Sequence, residues 1–122
     1  MRRRHSLILG AAILTCGPLE VDTLACTVTF AGAPVELRPR EFALLAHLAR
    51  DPMRVHEKQD LLREVWGYQL PGRTRTVDSH ASRLRRKLAR AGAEGWVCAT
   101  FGIGYRLTPH LQPSRMSARS PP

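Results

Sequence analysis

The chain has 122 residues, with 19 Lys+Arg against 10 Asp+Glu and a formal net charge of +9, a length that holds one domain with a single modest core and excludes two. So lopsided a charge favours polyanionic partners, nucleic acid or an acidic membrane surface, and says nothing about fold. Cys16, Cys26 and Cys98 are far apart and form no C-x-x-C pair, so they suggest neither a disulfide framework nor a zinc site and read as reduced, buried thiols of a cytosolic protein.

MRRRH followed by SLILGAAILT looks superficially like the charged and apolar regions of a secretion signal. No small-x-small cleavage site follows, and the apolar run is about half of the ~20 residues that span a bilayer. Residues 1–12 are therefore expected to be a basic, disordered tail, with a folded domain over 13–107. From Ile13 to Leu37 the runs ILTC, LEV, CTVTF and VEL are broken by Gly17-Pro18, Asp22 and AGAP. Their β-branched and alternating apolar residues predict three or four antiparallel strands, with AGAP as a tight link between the last two.

Pro39 at a first helical position, Glu41 in the first turn, and Phe42, Leu45, Leu48 and Ala49 at helical spacing predict a first helix over 39–50, stopping near Asp51-Pro52. Leu61, Leu62, Val65 and Trp66 mark a second helix over about 57–66, ended by Gly67. The loop GYQLPGR follows, then a third helix over about 75–91 that ends at Gly92. WVCATFGIGYRL reads as two β runs around a two-residue turn, Gly102-Ile103. TPHLQPSRMSARSPP, rich in Pro, Ser and Arg, is expected to be a disordered tail over 108–122.

The third helix decides between the two kinds of polyanion. At about 100° per residue, Val77, Ala81, Leu84, Leu88 and Ala91 gather in one narrow arc that faces the core. Ser79, Ser82, Arg83, Arg86 and Arg90 fall on the opposite face, with Arg75 beside them, His80 and Lys87 along one flank, and Asp78 and Arg85 along the other. A helix lying on a membrane needs a broad outward stripe of large apolar residues. Here the only apolar stripe is narrow and belongs to the core, so no membrane partner is expected. Small serines beside long cations suit a duplex groove, where the helix approaches closely and arginines reach phosphates or guanine edges.

Four segments in order, LRPREFALLAHLAR, DLLREVWGY, RTVDSHASRLRRKL and GIGYRL, resemble the winged-helix DNA-binding domain of OmpR/PhoB-type response regulators over residues 13–107. The resemblance implies an α+β winged helix-turn-helix, with an N-terminal antiparallel sheet, three helices and a C-terminal β-hairpin wing. It further implies a sequence-specific transcription regulator with the third helix in the major groove of double-stranded promoter DNA and the wing against an adjacent minor groove. Family positions that touch DNA correspond to Arg75, Thr76, Ser79, His80, Ser82, Arg83 and Arg85, with Trp66 and Tyr105 as phosphate contacts or as ordinary core residues. Arg83 is the best base-reading candidate, and Arg75, Arg86 and Arg90 are expected to hold phosphates. The loop Gly67, Tyr68, Gln69, Leu70, Pro71, Gly72 and Arg73 is similar to a contact surface for RNA polymerase, or is a plain connector. Members bind direct repeats as tandem pairs, about one helical turn apart.

Departures from the family pattern carry expectations of their own. Arg38 stands where a capping Thr is usual and Glu57 where Ser is usual, so each helix start is expected to lose roughly 1 kcal/mol of capping. Phe101 stands where the wing tip usually has Arg, which removes a guanidinium from the minor groove. In 122 residues no phospho-accepting receiver domain fits beside this one, so an orphan regulator acting in the cytoplasm at the nucleoid is expected. The alternative is an interaction module on the same fold that mainly binds RNA polymerase or a sigma factor. No catalytic, cofactor or metal site is expected. Asp78-Ser79-His80 has the residue types of a hydrolase triad, but consecutive helical side chains point about 100° apart. His56-Glu57 lacks a second ligating histidine, and Gly102-x-Gly104 precedes no helix.

Overall fold

Alternation builds the first layer. The computed structural model describes residues 12–68 and 72–109, so the two expected tails fall outside it except for Ala12, Thr108 and Pro109. Strands β1 (Ile13–Cys16), β2 (Leu19–Asp22), β3 (Thr27–Phe30) and β4 (Ala33–Pro34) form an antiparallel meander in sequence order. Leu19 lies opposite Phe30 and Val21 opposite Val28, and all four point into the core. The fourth strand begins earlier than the expected VEL run. Ala31-Gly32 alone makes the turn, with φ of 53° and 86°, the left-handed pair that a two-residue hairpin requires. Val35 adds one more bond, its N–H to the Val28 carbonyl at 2.9 Å, and Glu36 and Leu37 then leave the sheet to enter the first helix.

Helix α1 (Pro39–Ala49) starts on Pro39, whose missing N–H is one of the donors a first turn leaves unbonded anyway. Capping here is half lost rather than wholly lost. The Glu41 carboxylate accepts the Arg38 N–H at 2.9 Å, but a guanidinium has no acceptor with which to return the bond. Leu44, Leu45 and Leu48 are fully enclosed, and α1 packs on both other helices and on the C-terminal sheet. Helix α2 (Lys58–Trp66) buries Leu61 and Leu62 and stops at Gly67 with a left-handed φ of 79°. Helix α3 (Arg75–Arg90) ends one residue short of the expected Ala91, which packs half-buried just past it.

The C-terminal sheet has a strand that the sequence pattern did not announce. β5 (His56–Glu57), β6 (Val97–Thr100) and β7 (Gly104–Leu107) are ordered β5-β7-β6, so a third strand anchors the hairpin beside its turn, at Gly104 and Tyr105. Gly104 faces Glu57 in that ladder, and a Cβ on it would lie 1.8 Å from the His56 carbonyl oxygen. Only glycine permits so close a pairing. Because Gly104 is consumed by the ladder, opposite Thr100, the turn has three residues, Phe101 to Ile103, and not the expected two. Phe30 and Trp96 meet edge to face at 5.2 Å and join the two sheets through the core.

Two further expectations are corrected. Cys16 is buried, but Cys26 is exposed and Cys98 half-buried, with the Cys98 Sγ 3.2 Å from the Gly95 carbonyl oxygen. Thr108 is buried, and its hydroxyl reaches the Gly95 and Trp96 carbonyls at 3.0 and 3.2 Å, so the folded unit runs past 107.

Candidate nucleic-acid interface

The apolar thread of α3, Val77, Ala81, Leu84 and Leu88, is buried throughout. Arg75, Ser82, Arg83, Arg85, Arg86 and Arg90 are exposed, while Thr76, Ser79, His80 and Lys87 are half-buried along the margins. One helix therefore brings together all the predicted α3 residues. Their hydroxyl and imidazole groups are not equally free. The Ser82 Oγ accepts a bond from the Arg86 Nη1 at 3.2 Å, which folds that guanidinium back along the outward face.

His80 is oriented from two sides. Its Nδ1 lies 2.7 Å from the Thr76 carbonyl oxygen. A carbonyl can only accept, so Nδ1 carries a proton and donates it there. The Trp66 ring sits edge-on to it at 5.2 Å. Trp66 itself is half-buried against the core.

Of its two expected readings, phosphate contact or core residue, Tyr105 has the surroundings of the second. It is buried, and its hydroxyl donates to the Asp78 Oδ1 at 2.6 Å. Lys58 Nζ reaches the same oxygen at 3.1 Å. Burial, and then the Asp78 bond and charge, push the phenol well above its usual pKa, so the proton stays on Tyr105. The phenol thus ties the wing to the first turn of α3, and an outside phosphate could take this donor only by breaking that tie.

Along the other half of α3, Arg83, Arg86, Lys87 and Arg90 join Arg38 in lining a cleft of about 360 Å³. Lys87 is held there by Glu41, with Nζ and Oε1 2.6 Å apart. Arg38 was missed by sequence reasoning, which saw it only as a poor cap. Its address on this surface depends on the start of α1 packing beside the end of α3, a contact with no local signal.

The loop from Gly67 to Arg73 is clamped at its far end. The Gln59 side chain donates Nε2 to the Gly72 carbonyl at 2.8 Å and accepts the Gly72 N–H at 3.3 Å. Tyr68 is 51% exposed and Arg73 is also open to solvent; Gln69, Leu70 and Pro71 lie outside the described residues. At the wing tip, Phe101 is 98% exposed. Among the described residues, no cluster of His, Cys, Asp and Glu could hold a metal ion, and no helix is long and apolar enough to cross a membrane.

Residues 32–107 match the family model described as "Transcriptional regulatory protein, C terminal". The transcriptional regulatory protein ResD of Bacillus subtilis is 40% identical over 96 residues, 77% of this chain and 40% of ResD. The chain thus spans well under half the length of that relative. Among solved structures, the Klebsiella pneumoniae RstA DNA-binding domain in complex with RstA box superposes with a TM-score of 0.71 at 29% identity, over 80% of this chain and 98% of that one. The DNA-binding domain of CpxR from E. coli has a TM-score of 0.69 at 32% identity, over 80% and 96%.

Proposed function

That the chain belongs to the OmpR/PhoB-type family of winged-helix transcriptional regulatory domains is the premise from which we propose sequence-specific binding of double-stranded DNA, with α3 in the major groove. The family is one of DNA-binding regulators and not of enzymes. Arg83, beside Ser79 and Ser82, reads a base edge. Thr76, His80 and Arg85 flank it, and Arg75, Arg86 and Arg90 hold phosphates, with Trp66 at the margin. Tyr105 acts through Asp78 by fixing the wing. Promoter half-sites in direct repeat, filled by tandem copies at the nucleoid, fit this geometry.

The observation that carries the reading is the split of α3, apolar and buried on one face, serine and arginine on the other. A salt titration against duplexes selected from a random pool, compared with unselected DNA, tests it. Selected duplexes should bind at least about a thousandfold more tightly. Equal affinity for both would leave only non-specific binding. Arg90→Ala and Arg38→Gln should weaken all sequences alike and each lower the slope of log K against log salt by about 1. A loss confined to one sequence would remove these two from the phosphate-binding set.

A second surface supports a second contact. Gln59 holds Gly72 near one end of the segment from Gly67 to Arg73, and Tyr68 near the other stands half out in solvent, which suits recognition of RNA polymerase or a sigma factor while α3 stays on DNA.

A further inference from the structure

Phosphate binding makes no use of the wing tip. Phe101 stands almost wholly in solvent at 98% exposure, with Ile103 beside it at 50%, and neither contributes to the core. Yet the turn that presents them is held firmly where it rejoins the sheet. The Ile103 N–H bonds the Thr100 carbonyl at 2.9 Å, and the Ile103 carbonyl accepts the Lys58 N–H at 3.2 Å. Gly104 lies against the backbone of β5, and Tyr105 is bonded to Asp78 in the first turn of α3. At about 3.4 Å per strand residue, the tip lies only on the order of 7 Å beyond that bond. A large apolar side chain on a fixed mount is pre-organised for a partner, because little freedom is left to lose when it is covered.

The position of the mount selects the partner. Asp78 and Arg85 share one flank of α3, and it is this flank that faces the wing. With α3 in a major groove about 12 Å wide, a projection beside its N-terminal end meets the bordering phosphate ridge and the minor groove beyond. Lys58 and Arg85 flank the approach, which suits a duplex better than an apolar protein surface. Resting on the DNA-binding reading above, we propose that Phe101 is an apolar wedge that enters this minor groove and partly unstacks one base step. Phenylalanine has the flat, uncharged shape that such insertion needs, and the unstacked step bends the duplex away from the wedge and toward its major groove.

The test uses the full chain and duplexes that it selects from a random pool, with 2-aminopurine placed at successive adenine positions. Its fluorescence rises where stacking is lost. The unaltered protein should brighten one step just outside the α3 footprint, Phe101→Leu should keep most of that signal, and Phe101→Ala should abolish it. Phe101→Ala should also bind about tenfold more weakly, from the apolar area no longer covered, and should bend the duplex less in a circular-permutation gel. If no position brightens, or if Phe101→Ala brightens the same step, the wedge is overturned while DNA binding stands. If the pool yields no preferred duplex at all, the DNA-binding reading fails and the wedge falls with it.

Discussion

Lys87→Met is expected to lower the unfolding free energy by about 3 kcal/mol at pH 7, through the carboxylate it abandons rather than the helix it sits on. Glu41 is fully enclosed, and its Oε2 has no hydrogen-bond partner among the described residues. The charge is therefore carried by the 2.6 Å contact from Lys87 to Oε1 and the 2.9 Å bond from the Arg38 N–H. Removing one partner of a buried pair leaves an uncompensated charge, which typically costs 3–5 kcal/mol; the lower figure applies because Lys87 keeps 27% side-chain exposure.

The pH dependence gives this prediction its sharper form. Burial pushes the Glu41 carboxyl upward, but the bonds and charges of Lys87 and Arg38 outweigh it and hold the group below its usual 4.5. A folded-state value below the unfolded one means stability that is present above pH ~4.5 and lost as pH falls through the lower folded value. In Lys87→Met the balance reverses, because burial then dominates and the carboxyl rises. The penalty should be large at pH 7 and shrink by pH 4, where protonation removes the stranded charge. Urea unfolding at both pH values measures this. Equal destabilisation at pH 7 and pH 4 would mean that the ion pair is not the cause. The double variant Glu41→Gln/Lys87→Met should recover most of the loss.

Arg83→Ala is expected to cost 1–3 kcal/mol of binding, roughly tenfold to a hundredfold, concentrated at one base pair of the preferred duplex. Arg54 and Arg63 are held by neighbouring acids, and Arg86 rests on Ser82. Arg83 has no such tether among the described residues and stands exposed beside the small Ser82, free to extend two of its guanidinium N–H donors to one guanine edge. Affinity measured across a set of single-base-pair substitutions separates the roles. A base-reading Arg83 predicts that the variant becomes indifferent at one position and keeps its preferences elsewhere. Uniform weakening at every position would make Arg83 one more phosphate contact and move base reading to His80 or Arg85.

What the sequence determined by itself was whatever repeats locally along the chain. A helical period puts Val77, Ala81, Leu84 and Leu88 on one edge of α3 and the arginines on the other, and this needs no knowledge of what lies against either face. Pro39 and Gly67 mark a helix start and a helix end because their backbone preferences act within one turn. The order of sheet, three helices and hairpin was legible for the same reason. Tertiary structure alone decided the contacts between residues distant in the chain. Glu41 and Lys87 pair across 46 residues, the Tyr105 hydroxyl finds Asp78 across 27, and Arg38 enters the cationic cleft only through the packing of α1 on α3. β5 is two residues long, too short for any alternation to announce it, and Gly104 became part of the ladder rather than of the turn because His56 lies against it. Periodicity is a property of one segment, whereas a buried partner is supplied by another. The sequence therefore marked out the face of α3, and the fold decided what holds that face in place.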